Sequence, residues 1–393
     1  VNMGSRQESG RQKMLWVSLA CWPCREYSIR VPGKADMRSV IIDKIASVAQ
    51  AKEIGREVRL SHDIPCEEGI LIAAEVLNNK SRYNTLELNS GRMAQVKRGD
   101  IIVGALGHRK ALFGYSGHLP EKLAPGDSIQ ILNLGGVLGI CDSINPSRGQ
   151  PFDCSVLGVV LDFPYLGERI GVPARVGDKT LENQATLELN GTPVIAMAGT
   201  CMDSGKTVAA CAVISRFRHR GLTVDAFKAT GVALRRDILA MEDSGARNTG
   251  IFADFGIVAT SPSNAPALTR NLLSGLALQK PDVIVFELGD GLLGAYGVEA
   301  ILQDPEIRGA LSAVVLCAND PVGAWGGIKL LRDEFGIDPI AVTGRATDNE
   351  VGVAIIEQQG GVPGINALSD GAKLGDLLQH KLKLGKFNAE EPE

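Results

Sequence analysis

The sequence predicts an α/β chain in two parts: a smaller antiparallel β-rich domain, barrel- or sandwich-like, followed by a parallel sheet with helices on both faces. Three observations predict it. Residues 69–165 carry short apolar runs of period two, separated by turn formers and without helical stretches between them. From Pro193 onward, strand-like runs alternate with helical ones, the βαβ pattern of a parallel sheet. At the first strand-to-helix switch of that alternation stands a glycine-bounded loop, Gly199 to Thr207.

Length and charge fit this division and exclude several classes. The 393 residues, 45% of them hydrophobic, suffice for two cores. A net charge of −4 argues against a dedicated nucleic-acid binder, which needs a strongly basic face. No apolar run approaches the roughly 20 residues that cross a bilayer. With 46 glycines and 5% aromatics, tight backbone turns are expected rather than aromatic-lined pockets. The 8 cysteines are scattered and lie mostly in apolar runs, so they read as reduced thiols in a cytoplasmic protein.

The elements follow in order. Residues 1–36 lack periodicity. Their apolar patch is too short for a signal peptide, and Cys21-Trp22-Pro23-Cys24 has no partner pair for a metal. They read as a flexible or extraneous extension before Met37. The spacing of Val40, Ile41, Ile42, Ile45, Val48, Ala49 and Ala51 predicts a helix of about four turns. The β-rich domain, 37–165, then has expected strands at 69–76, 84–88, 100–104 and 128–132, punctuated by Asn78-Asn79, Ser90-Gly91 and Pro125-Gly126-Asp127. His108 and His118 fall within it as candidate site residues, with ordinary surface histidines as the simpler reading. Residues 166–192 read as a linker with one or two edge strands. In the second domain, 193–387, strands are expected at 194–198, 224–228, 283–287, 313–317 and 339–342. Helices are expected at 207–221 and 266–278. Residues 388–393 form an acidic tail.

Chemistry concentrates at the loop. The apolar strand Val194–Ala198 runs into Gly199-Thr200-Cys201-Met202-Asp203-Ser204-Gly205-Lys206-Thr207, and a helical run begins with Val208. Glycines allow backbone N–H groups to turn around a phosphate, and the helix start adds partial positive charge. Lys206 is placed to reach the β- and γ-phosphates, and the Thr207 hydroxyl to hold Mg²⁺. The spacing is one residue longer than the strict Walker pattern. Acidic groups at the ends of the following strands would supply hard oxygen ligands for the metal of a nucleotide. Cys201 sits in the loop without a histidine placed beside it, so it is not expected to act as a nucleophile. Asp348, after the last strand, is a candidate to accept from a nucleotide base. Arg235-Arg236 is a candidate clamp for an anionic substrate, and Trp325 and Tyr296 are candidates to shape a pocket.

The loop resembles that of the dethiobiotin synthetase and cobyric acid synthase superfamily. So do Phe227-Lys228-Ala229-Thr230-Gly231, Arg236-Asp237-Ile238-Leu239-Ala240 and the run Asp282 to Leu292 with its Glu287. The resemblance implies a P-loop NTPase fold, with Thr207, Asp237 and Glu287 around one Mg²⁺ and with Lys206 and Lys228 beside the transferred phosphate. About residues 193–370 also resemble a P-loop family whose known activity is N-acetylation of D-glutamate with acetyl-CoA. That resemblance rests on Ala229-Thr230-Gly231, Ala253-Asp254-Phe255, Glu287 with Gly291 and Leu293, Tyr296, Val298 and the run Val315 to Pro321. This chain departs from that family in its β-rich first part and in Thr207 directly following Lys206.

Three functions are therefore expected in turn. The first is an ATP- and Mg²⁺-dependent enzyme that activates a small carboxylate- or amine-bearing metabolite by phosphoryl transfer. The alternative is an acyl-CoA-dependent N-acetyltransferase using acetyl-CoA. The third is a nucleotide-switch NTPase, for which a signature lysine near Gly199 is missing. The partner expected is a small-molecule substrate, with no nucleic acid and no membrane. A homodimer follows from relatives whose active site lies at a subunit interface.

Overall fold

A computed structural model describes residues 37–49, 54–165, 170–183 and 186–385. The expected N-terminal extension and acidic tail lie outside the described residues.

In chain order the first half contains β1 (Arg38–Ile41), β2 (Lys44–Ile45), β3 (Glu57–Ser61), β4 (Leu71–Val76), β5 (Thr85–Glu87), β6 (Met93–Gln95) and β7 (Ile101–Leu106). It continues with β8 (Arg109–Lys110), β9 (Tyr115–His118), β10 (Ser128–Ile131), β11 (Val137–Ile144), β12 (Phe152–Asp162) and β13 (Val172–Pro173). All but the β5–β6 hairpin join one 11-stranded sheet. The pairings β12–β4, β4–β7, β7–β11, β11–β10 and β10–β12 close on themselves, so these strands form a ring without a free edge. Most pairings are antiparallel, but β7–β11 and β2–β7 are parallel.

The stretch expected as a helix over 40–51 is instead β1, β2 and a short 3₁₀ turn, Ser47–Ala49, with 50–53 outside the described residues. Its β-branched residues at 40–42, 45 and 48 suit a pleated strand as well as a helix face. Long-range partners decide the matter: β1 pairs with β3, Ala46 donates to the Val103 carbonyl at 3.0 Å, and Val48 to that of Gly135 at 3.0 Å. The expected strands at 69–76, 84–88, 100–104 and 128–132 are present as β4, β5, β7 and β10.

The second half holds β14 (Val194–Gly199), β15 (Val224–Lys228), β16 (Thr249–Ile251), β17 (Val283–Glu287), β18 (Ala313–Cys317) and β19 (Ala341–Thr343). Between and after them run α1 (Lys206–His219), α2 (Arg236–Asp243), α3 (Ala265–Ala277), α4 (Val298–Gln303), α5 (Pro305–Ala310), α6 (Pro321–Phe335), α7 (Glu350–Gly360) and α8 (Gly371–Leu382). The strand order is β16-β15-β17-β14-β18-β19 and every pairing is parallel. The strands read as apolar runs because helices cover both faces. Val194, Ala196 and Ala198 pack toward α3, α4 and α6, whereas Ile195 and Met197 pack toward α1 and α8. A bidentate Arg216–Asp376 pair, at 2.7 and 2.6 Å, ties α1 to α8. The two halves share a core: Ala233, Ile238, Phe252, Val258 and Leu268 are buried against the first sheet. Among the described residues, no helix is long and apolar enough to cross a membrane.

Candidate active site

Parallel strands bring their carboxyl ends to one edge of the sheet, and the sequence-predicted residues collect there. Lys228 and Glu287 end adjacent strands in register, and Met197 of β14 is the partner of Glu287 on its other side. Beneath them Phe227 and Phe286 stack with centroids 4.8 Å apart, which fixes the two strand ends against each other. From β14 the chain enters the loop and leaves it at Gly205, which caps α1 in the left-handed region at φ 96° and offers no side-chain acceptor to the first-turn amides. Those amides, with the helix dipole behind them, suit an anion. Gly344 presses on the loop so closely that a β-carbon there would stand 2.3 Å from the Ser204 carbonyl oxygen. The start of the 3₁₀ turn Arg345–Thr347 is thereby held against the loop.

Lys206, Lys228, Thr207, Asp237 and Glu287 converge. Lys206 is buried and donates to the Cys201 carbonyl at 2.8 Å. The Thr207 hydroxyl donates to Glu287 Oε2 at 2.8 Å, and Asp237 Oδ1 lies 3.5 Å away. Lys228 is ion-paired with Asp237. Burial works against the Lys228 ammonium, but Asp237 and Glu287 outweigh it and raise its pKa above the usual lysine range. For Asp237 burial likewise opposes ionisation, and the Lys228 charge and hydrogen bond overcome it to hold the carboxyl below its usual range. Glu287 goes the other way. Burial, and then the neighbouring Asp237 charge, raise its pKa despite the two lysines.

Two carboxylates and a hydroxyl, all hard oxygen donors, fit Mg²⁺ bound together with phosphate oxygens and water. No group of three or more His, Cys, Asp or Glu able to hold a metal occurs among the described residues.

The remaining predicted residues divide between the loop and places away from it. The Thr200 amide donates to the Cys317 carbonyl at 2.9 Å, Ser204 is buried, and Val208 is exposed on α1. Cys201 Sγ accepts from the Asn319 amide nitrogen at 3.0 Å. Met202 and Asp203 complete the turn, the latter at φ 57°. Asp348 is exposed and accepts from Asn366 at 3.0 Å, at the end of the turn that Gly344 opens. Arg236 lies 3.7 Å from Asp237, while Arg235 turns toward the Asn89 carbonyl at 3.4 Å, so the arginine pair does not form one clamp. His118 pairs with Asp142 at 2.7 Å on the first sheet, and His108 accepts from the Leu119 amide at 3.4 Å. Neither histidine joins this cluster. Tyr296 is buried and accepts from the Lys110 amide at 3.1 Å, so it closes the contact with the first sheet. Trp325 is half exposed on α6, beneath Lys329 at 5.1 Å.

Two carboxylates escaped the sequence reading. Glu87, fully buried at the end of β5, accepts from the amides of Arg235 at 2.8 Å and Arg236 at 2.7 Å. A residue of the β5–β6 hairpin thereby caps the helix that carries Asp237. Asn133 adds a bond to the Ala233 carbonyl at 2.8 Å on the same segment. Asp290 follows β17 in the left-handed region at φ 76°, and no hydrogen-bond partner for its shielded oxygens meets normal geometry. Burial pushes its pKa up, although Lys206 and the nearby amides of Gly291 and Ala295 favour its charged form. A polar residue in the run Gly289-Asp290-Gly291 was the only hint of it.

No family model matches the chain, and no curated protein matches it in sequence. Solved structures overlay on about half of it. The signal recognition particle receptor FtsY from Elizabethkingia anophelis is 18% identical over 50% of this chain and 68% of its own, with a TM-score of 0.36. The hydrogenase maturation factor HypB from Archaeoglobus fulgidus is 14% identical over 49% of this chain and 91% of its own, at 0.36. A DUF1611 family protein from Anabaena variabilis is 12% identical over 52% of this chain and 63% of its own, at 0.33. Likeness at this level assigns neither a family nor a substrate.

Proposed function

We propose that the chain is a Mg²⁺-dependent nucleotide enzyme that transfers a phosphoryl group, with ATP as the donor, to a small acceptor. The observation that carries this reading is the convergence of Thr207, Asp237 and Glu287 on the helix start that presents Lys206, with Lys228 beside them. Thr207, Asp237 and Glu287 would hold the metal, which when bound supplies positive charge to the phosphate oxygens. The loop amides and Lys206 bind and orient the β- and γ-phosphates. Lys228, cationic because two carboxylates sustain it, stabilises negative charge that grows on the transferred group. The acceptor is the carboxylate- or amine-bearing metabolite anticipated from the sequence.

What favours transfer over a switch is how the segment carrying Asp237 is fastened. Ala233, Arg235 and Arg236 are all bonded to the first half of the chain, through Asn133 of the β10–β11 connection and Glu87 of the β5–β6 hairpin, so this segment is not a free arm that nucleotide would order.

The test is thermal unfolding of the full chain with MgATP, MgGTP and acetyl-CoA, beside Lys206→Ala. A ligand at 100 times its Kd adds about 2.7 kcal/mol. Stabilisation by a magnesium nucleotide, lost with EDTA and in Lys206→Ala, is the expected result. Stabilisation by acetyl-CoA alone, indifferent to EDTA, would overturn it in favour of acyl transfer.

A further inference from the structure

A second cluster of charge lies at one end of the first sheet, and nothing in the nucleotide reading uses it. Lys80 and Tyr83 come from the β4–β5 connection, Arg109 from β8, Tyr115 from β9, Arg148 from the 3₁₀ turn Pro146–Arg148, and Phe152 from the start of β12. Three cations meet around the Tyr83 ring: Lys80 Nζ at 5.9 Å from its centroid, Arg109 Cζ at 5.9 Å and Arg148 Cζ at 5.4 Å. Lys80 also lies 4.9 Å from the Tyr115 centroid and 5.2 Å from that of Phe152, and it donates to the Tyr115 hydroxyl. That hydroxyl in turn donates to the Gly149 carbonyl at 3.0 Å.

The cluster lacks its counter-charge. Arg109 is 3% exposed, and its guanidinium is bonded to the Leu132 carbonyl and to the hydroxyls of Tyr83 and Tyr296, none of which is an anion. Among the described residues none of the three cations is ion-paired, and the shielded Nε groups of Arg109 and Arg148 have no acceptor. Of the two groups that favour the Lys80 charge, Cys141 is a thiol and the carboxylate, Asp153, already accepts from Gln130 at 3.1 Å. Ring faces attract cations but do not replace a carboxylate as a hydrogen-bond acceptor. A buried guanidinium without an anion is costly. Tyr83 adds a second sign of a functional place, since it is held in the left-handed region at φ 51°, where a bulky side chain is strained.

We propose that this end of the first sheet binds a small anion, a carboxylate- or phosphate-bearing molecule, between Lys80, Arg109 and Arg148. The anion takes the free Nε–H groups and the Lys80 ammonium, and the rings of Tyr83 and Phe152 flank it. The site adjoins the nucleotide half: the Lys110 amide, next to Arg109 in sequence, holds the Tyr296 hydroxyl on the segment that follows Asp290. Burial pulls the Lys80 pKa down to about 8, with Cys141 and Asp153 only partly offsetting it, so its amine is unusually reactive and a bound anion would reverse that.

The test is competitive acetylation of the full chain at pH 8, read lysine by lysine by mass spectrometry. Lys206→Ala serves as the background so that phosphate cannot act through the nucleotide loop. Lys80 is expected to react several-fold faster than the exposed Lys122 and Lys373. Inorganic phosphate or succinate, at constant ionic strength, should slow Lys80 selectively and saturably. Protection by phosphate alone identifies a phosphoryl ligand, and by succinate alone a carboxylate. Arg148→Gln, at a half-exposed position, should fold normally and lose the protection. If neither anion slows Lys80 relative to the exposed lysines, or if protection survives in Arg148→Gln, the proposal is wrong.

Discussion

Two lysines of this molecule are withdrawn from solvent in opposite company. Lys228 stands among carboxylates, and Asp237 and Glu287 overcome its burial and raise its pKa. Lys80 stands among rings and other cations, and burial lowers its pKa to about 8. A ring face attracts a cation with about 0.5–2 kcal/mol, which does not match the loss of hydration. The contrast teaches which cluster is complete. The nucleotide edge neutralises its own lysine with two carboxylates. The end of the first sheet has cations in want of an acid.

The contrast breaks most visibly in stability. Asp237→Ala removes the carboxylate paired with the buried Lys228 ammonium and leaves only Glu287 near it, and urea unfolding should lose about 3 kcal/mol. Lys80→Met removes a cation that no carboxylate neutralises, so the loss should stay within about 1 kcal/mol, the worth of its hydrogen bond to Tyr115. Equal losses in the two variants would mean that the clusters do not differ as described.

A smaller effect lies in the pH dependence, where the two lysines have opposite signs. The folded pKa of Lys228 is raised, so its contribution is complete below the ordinary 10.5 and disappears only as pH climbs through the higher folded value. The folded pKa of Lys80 is lowered, so between about 8 and 10.5 the unfolded chain binds the extra proton. Its charge penalty is full below that window and fades as pH rises through it. Urea midpoints of the parent should therefore gain on those of Lys80→Met across that window. A constant difference between the two would show that Lys80 keeps an ordinary pKa.

The same contrast explains what the sequence could reveal. Parallel strands buried on both faces read as apolar runs, and their carboxyl ends must meet at one edge. Lys206 was therefore legible from the glycine-bounded loop, and Glu287 as an acid at a strand end, whereas the roles of Lys228 and of Asp237, which lies on a helix start, came from the family resemblance. The first sheet offers no such rule. Lys80, Arg109 and Arg148 come from separate connections, and only the pairing of β8 with β9 and the turn before β12 bring them to one ring. Glu87 follows Leu86 in a strand whose alternation predicts a solvent-facing acid. It is buried because helix amides 148 and 149 residues away need acceptors. The helix expected over 40–51 failed for the same reason, since partners far along the chain chose between two periods that the residues fit equally well.

The smallest expected effect sharpens the link between the two regions. Glu87 donates nothing to chemistry, but it fixes the helix start that carries Asp237, so it is a positioning residue. Glu87→Gln leaves one acceptor where two amides point, and the lost cap should cost about 1 kcal/mol. A purely structural role ends there. A positioning role predicts more: the Mg²⁺ concentration that half-saturates nucleotide-dependent stabilisation should rise several-fold, while nucleotide binding measured in EDTA stays as in the parent. Glu87→Asp, which keeps the charge but is one methylene shorter, should recover part of the metal response. If Glu87→Gln lowers stability and leaves the magnesium titration unmoved, then the β5–β6 hairpin merely supports the helix, and Asp237 is positioned by Lys228 and Thr207 alone.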